Sequence, residues 1–252
     1  MTRIIAVASG KGGVGKTTLV SNLAAALSGF NRSVIAIDGN LTTSNLGLHL
    51  GIPLYPVTLQ DVLKGKAKIK DAVYYHESGF RVIPADVSFE NIMVPESEKM
   101  VGVFYTLAGD ADFILIDTAA GLGKESLSTL KAADEVVVVT NPDKPSVTDA
   151  LKVCKLAESF GTHILGAVIN RVKKKRHELS VQEIENFLSA PVLGVVHEDG
   201  IVSEAIANSR PVVIYQPKAF VAQQFKAIAA NLAGIEYKIR KPVFHKLFLW
   251  LK

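Results

Sequence analysis

Short apolar runs alternate along the chain with longer stretches whose apolar residues recur at helical spacing. The runs Arg3–Ala8, Ser33–Ile37, Phe80–Pro84, Asp112–Asp117, Glu135–Thr140, His163–Asn170 and Pro191–Val196 are almost wholly apolar and rich in β-branched residues. That pattern marks strands covered on both faces. Between them, Lys16–Leu27, Ser88–Leu107, Lys124–Ala132, Ser146–Phe160, Val181–Leu188, Gly200–Asn208 and Ala219–Leu232 read as helices. The alternation predicts an α/β fold: one domain with a mostly parallel, twisted sheet and helices on both faces. Gly234 to Arg240 is the one joint in the pattern, so the chain divides into a body, residues 1–237, and a basic apolar tail, 238–252.

Composition narrows the classes. With 252 residues, 48% of them hydrophobic, the chain has ample core for this fold. Its formal charge is +4, but the bases gather at Lys238, Arg240, Lys241, Lys246 and Lys252 and in the run Arg171, Lys173, Lys174, Lys175, Arg176, so the body is close to neutral. Two local patches do not make a general nucleic-acid binder. A single cysteine, Cys154, excludes a disulfide framework, a zinc finger and a cysteine-held iron–sulfur cluster within one chain, and fits a reducing, cytoplasmic setting. No apolar run reaches the ~20 residues needed to span a bilayer, and the first apolar run is too short for a signal peptide.

Residues Gly10 to Thr18, GKGGVGKTT, follow the first strand and open the first helix. Glycines at this junction let successive backbone N–H groups turn inward toward an anion at a helix N-terminus. Gly10, Gly12, Gly13, Val14, Gly15, Lys16, Thr17 and Thr18 thus form a phosphate loop, with Lys16 on the β and γ phosphates, Thr17 on Mg²⁺ and Thr18 near the α phosphate. Asp38 and Asp117 end two later strands, where carboxylates of a parallel sheet face the ligand crevice, and both are candidate metal ligands.

Lys11, beside the first glycine, gives the loop its resemblance to the deviant Walker A ATPases, and the remainder of the chain resembles the MinD family from Arg3 onward. The resemblance implies that Lys11 reaches a partner's nucleotide across an ATP-sandwich homodimer, that Asp117 is the Walker B aspartate, and that Gly121 in DTAAGLG carries the γ-phosphate-sensing switch turn. It also puts Asn170, followed by Arg171, at the adenine edge and Asp199 near the base. An Asn amide suits adenine because it offers a donor beside an acceptor.

Three positions depart from the family's pattern. Asn40 stands where members usually carry the aspartate that orients the attacking water, and an amide cannot accept water's proton. Weak hydrolysis is the expectation, and three explanations stay open: natural slow turnover, another residue supplying the role, or an engineered trap. Ala119 replaces a proline in the switch, and His197 replaces a proline near the base.

The tail reads PVFHKLFLWLK. As a helix it would place Phe244, Leu247, Phe248 and Leu251 on one stripe flanked by Trp250, with bases elsewhere. It resembles a short membrane-targeting helix that settles on anionic headgroups; the alternative is a terminal helix docked on its own body. The expected molecule is an Mg²⁺-dependent ATPase switch that is cytoplasmic, peripheral at the inner face of the membrane and homodimeric with ATP, with a role in cell division and an unknown protein partner. A DNA-partition ATPase of ParA type and an ATP-locked scaffold with negligible hydrolysis are the alternatives.

Overall fold

The computed structural model describes residues 1–52, 55–86 and 97–239. The membrane-tail residues Phe244, Leu247, Phe248, Trp250 and Leu251, and the first part of the helix expected over 88–107, lie outside these residues.

Eight strands form one sheet: β1 (Arg3–Ala8), β2 (Val34–Gly39), β3 (Tyr74–Tyr75), β4 (Arg81–Ile83), β5 (Phe113–Thr118), β6 (Glu135–Thr140), β7 (His163–Val172) and β8 (Val192–His197). Their spatial order is β3-β4-β2-β5-β1-β6-β7-β8, parallel except for the antiparallel edge strand β3. The expected strands β1 and β6 match residue for residue; β3, two residues long, carries no readable alternation.

Alternate residues of β1 enter two separate cores. Ile4, Ala6 and Ala8 face one layer, with helices α3 (Leu59–Leu63), α4 (Met100–Tyr105), α5 (Lys124–Lys131), α6 (Lys144–Phe160) and α7 (Val181–Leu188). Ile5 and Val7 face the other, with α1 (Lys16–Gly29), α2 (Leu46–His49), α8 (Gly200–Ala207), α9 (Val212–Tyr215) and α10 (Phe220–Ala233). This period-two division is why the strands read as unbroken apolar runs: both faces are dry.

Helix α1 is buried along most of its length and packs against α10. Its buried Asn22 donates to Thr18 O at 2.8 Å and accepts from the Val213 N–H at 3.0 Å, so the phosphate-loop helix is pinned to α9. Gly194 of β8 admits α10: a Cβ there would lie 2.5 Å from Ile228. On the opposite layer α6 begins with Asp143 accepting from the Ser146 N–H and a proline in the first turn, and ends at Gly161 with φ 75°. Its Cys154 is fully buried, and burial pushes the thiol up to about 11.

Candidate functional site

The carboxyl ends of β1, β2 and β5 meet in register, with Val7 opposite Asp117 and Asp117 opposite Asp38. The phosphate loop springs from β1 at this point. Gly15 caps α1 in the left-handed region, φ 100°, and Gly13 has φ 76°. Gly10 serves a different need, since a Cβ would come within 2.3 Å of the Asp149 carbonyl oxygen in α6. The loop is therefore clasped between two helices, and its sequence follows from curvature at two glycines and close approach at a third.

Ser9, which the motif reading passed over, is the hub of the loop. Its hydroxyl donates to Lys11 O at 2.8 Å and accepts from Lys16 Nζ at 3.0 Å, and its carbonyl accepts from the Gly121 N–H at 3.2 Å. The expected switch turn, with Gly121 at φ 79°, is thus tied directly to the phosphate loop. The available signal was a serine directly after a strand whose residues Ile4–Ala8 are apolar and buried. Burial lowers the Lys16 pKa, with the Asp117 charge opposing the shift. Lys11 is exposed, as a residue reaching outward requires.

The two aspartates, alike in sequence, differ in their surroundings. Asp117 accepts from the Thr17 hydroxyl at 2.6 Å through one oxygen, while its other oxygen is buried without a partner. A buried, unpaired carboxylate oxygen beside a hydroxyl suits a hard cation such as Mg²⁺, so Thr17 and Asp117 fit the metal. Among the described residues no cluster of three or more His, Cys, Asp or Glu offers an alternative metal site. Asp38 is instead consumed by its own loop: it accepts from the Asn40 N–H, the Ser44 hydroxyl and the Asn45 and Leu46 N–H groups at 2.8–3.2 Å. Asp38, expected as a second metal ligand, thus has its carboxylate engaged in anchoring residues 40–46. Burial raises the pKa of both acids, to about 7 for Asp117, with the Asp38 charge contributing, and to about 6 for Asp38, where the loop donors pull the other way.

Asn40 is likewise turned onto the chain. Its Nδ2 donates to Thr43 O at 2.6 Å and its Oδ1 accepts from the Thr43 N–H and hydroxyl at 3.2 and 3.0 Å. Asn45 Nδ2 donates to the same carbonyl at 2.8 Å. The Thr42 hydroxyl donates to Glu125 in the first turn of α5, linking this loop to the switch segment.

Two cavities open along the loop. One, about 390 Å³, is bordered by Gly12, Lys16, Thr17, Asn40 and Thr118. The other, about 190 Å³, is bordered by Asn170, His197, Glu198, Asp199 and Phe225. Both include Gly15, Thr18, Arg171 and Ile206, so they adjoin along these residues as one cleft with a phosphate-loop end and a second, smaller end. Asn170 borders the smaller one: Nδ2 donates to Val14 O at 2.7 Å and Oδ1 accepts from the Arg171 N–H at 2.9 Å. Its amide keeps one hydrogen and one lone pair for a base, and it also props the loop, since a Cβ on Gly15 would lie 2.3 Å from Nδ2. Asp199 caps α8 by accepting from the Ile201 N–H at 3.0 Å. Asn141, just past β6, leads into the turn before α6, and its Oδ1 is buried without a hydrogen-bond partner.

Known proteins share this arrangement. Residues 5–212 match the model of the CobQ/CobB/MinD/ParA nucleotide binding domain. An uncharacterized ATP-binding protein of Methanocaldococcus jannaschii is 44% identical over 238 residues, covering 94% of this chain and 90% of its own. The septum site-determining protein MinD of Thermotoga maritima is 30% identical over 243 residues, 93% of this chain and 89% of that protein. Among solved structures, the septum site-determining protein MinD of Pyrococcus horikoshii, complexed with Mg-ADP, superimposes with TM-score 0.90 at 38% identity, covering 95% of this chain and all of that one. The eight-stranded sheet, the phosphate loop at its centre and these likenesses lead to one conclusion: the chain belongs to the CobQ/CobB/MinD/ParA nucleotide-binding family.

Proposed function

We propose that this protein is an ATP-driven switch that dimerises with ATP, rests on an anionic membrane surface through residues 238–252 and leaves after hydrolysis to ADP and phosphate. The observation that carries the nucleotide chemistry is the Thr17–Asp117 pair at the phosphate end of the cleft, with its unpartnered buried oxygen. Backbone N–H groups of the loop and the N-terminus of α1 receive the phosphates. Lys16 leaves the Ser9 hydroxyl for the β and γ oxygens, and the exposed Lys11 supplies a second ammonium to the partner's nucleotide. Bound Mg²⁺ supplies charge neutralisation on the transferring phosphoryl group.

Turnover is slow in this reading. Asn40 has no proton-accepting group, and its amide is bonded to Thr43. Positioning of the attacking water is commonly worth ~10²–10⁴-fold in rate, so losing it yields a long-lived ATP state. A long-lived dimer also suits a weak anchor, because two tails on one dimer raise membrane residence by ~10²–10⁴ through avidity. Among the described residues no helix is long and apolar enough to cross a membrane, and the run from Pro242 to Lys252 falls well short of the ~20 residues a span needs, so the anchor proposed here is interfacial. Kinship with septum-placing proteins makes spatial positioning of a protein partner during cell division the natural cellular role.

Sedimentation with phosphatidylglycerol vesicles tests the reading. Protein pelleting with ATP, absent with ADP, and release over minutes to hours support it. Equal pelleting with both nucleotides overturns the switch. No pelleting with either overturns the membrane assignment and favours a DNA-partition role. Lys11→Ala should bind ATP yet remain monomeric by light scattering.

A further inference from the structure

The smaller end of the cleft contains a histidine whose protonated nitrogen is set by its neighbour. The His197 N–H donates to Gln224 Oε1 at 3.1 Å. A backbone N–H can only donate, so this bond fixes which end of the Gln224 amide is oxygen. The amide nitrogen is then the group 2.7 Å from His197 Nδ1, and it donates to that nitrogen. In the neutral ring Nδ1 is therefore the acceptor and Nε2 carries the hydrogen. Gln224 is 5% exposed and held in α10, while the Phe220 ring, 5.7 Å away and tilted by 49°, braces the imidazole from the same helix. The ring thus borders the cavity with its orientation and tautomer both determined.

We propose that His197 is a specificity-determining residue of the nucleotide site: its Nε2–H donates a hydrogen bond to a ring nitrogen of the purine base. The inference deepens the ATP-binding reading and rests on it. Three features of the site carry it. The cavity bordered by His197 is continuous with the phosphate end through Gly15, Thr18 and Arg171, so a nucleotide seated on the loop extends its base here. Of the acceptors bordering the same cavity, Glu198 is paired with Lys173 Nζ at 2.7 Å and Asp199 caps α8; both keep lone pairs for an exocyclic amine, while the His197 Nε2–H, with Ser203 and Arg171, is among the donors open to a ring nitrogen. The Asn170 amide, the expected reader, has one hydrogen and one lone pair left after serving Val14 and Arg171, enough for one edge of the base, which leaves a ring nitrogen on another edge to a second group.

Binding of 1-deaza-, 3-deaza- and 7-deaza-ATP, each lacking one ring-nitrogen acceptor, tests the assignment without reference to hydrolysis. Calorimetry on the wild type should show one of the three bound about 3–10-fold more weakly than ATP, the worth of one hydrogen bond. His197→Phe, which keeps a ring and removes the donor, should bind ATP and that analogue equally, whereas His197→Gln, which restores a donor, should recover part of the discrimination. Gln224→Glu, able to accept the backbone N–H but not to donate to Nδ1, should reduce it. Equal affinity of the wild type for all three analogues and ATP overturns the inference while leaving the ATP site standing, as does discrimination that survives in His197→Phe. Failure of the wild type to bind ATP overturns both.

Discussion

Two loops meet at the carboxyl edge of the sheet, and they are built on opposite plans. Residues 10–18 present backbone: glycines set the path and the N–H groups are the recognition surface. Residues 38–46 are held by side chains, with Asp38, Asn40, Ser44 and Asn45 spending their polar atoms on the loop itself. A backbone-built site has few alternative uses for its sequence. A side-chain-built loop can turn the same residues inward or outward, and only three-dimensional surroundings decide.

Substitutions should expose that contrast. The largest effect falls on the clasped glycines. Gly15→Ala sets a Cβ against Asn170 at φ 100°, and Gly10→Ala sets one against the α6 backbone. Each should cost about 1–3 kcal/mol of packing strain, and ATP affinity should fall about 10–100-fold by calorimetry. Gly13→Ala, which meets open space and bears only its positive φ, should cost about 1 kcal/mol.

Next in size is the acid pair. Burial raises the Asp117 pKa to about 7, so the folded chain binds a proton that the unfolded chain releases near pH 4. Stability from this group is therefore complete below its unfolded pKa and is lost as pH rises to about 7. Asp117→Asn should raise the melting temperature of nucleotide-free protein by about 5 °C at pH 8, leave it nearly unchanged at pH 4, and weaken ATP binding in Mg²⁺ by about 10-fold. A pH-independent difference between variant and wild type would count against the buried like-charge pair.

Asn40→Asp should produce a smaller change in stability. The donor to Thr43 O is lost and a carboxylate oxygen faces that carbonyl, so about 1 kcal/mol disappears from the loop. The freed acid can then orient water, and phosphate release should rise several-fold. A turnover that stays flat while stability falls would mean that Asn40 serves the loop alone.

This contrast also explains what was legible in the sequence. Strands dry on both faces announced themselves, and β1 and β6 matched to the residue because apolar runs there are bounded by polar ones. The short helices α2, α3 and α9 escaped notice, since four or five residues complete barely one turn and show no period. Asp38 and Asp117 end strands in nearly identical contexts, IDG and IDT, and nothing in those letters tells a carboxylate held by its own loop from one with an unpartnered oxygen. The pairing of His197 with Gln224, 27 positions apart, depends on α10 packing over β8 through Gly194, a contact that no local pattern encodes.

The solitary, buried thiol of Cys154 gives the experimenter a chemically silent background. A cysteine introduced at an exposed position would be the only one to react with a maleimide. Fluorophore or spin-label pairs, one per protomer, could then report the approach of two chains directly, with no need to remove a native residue first.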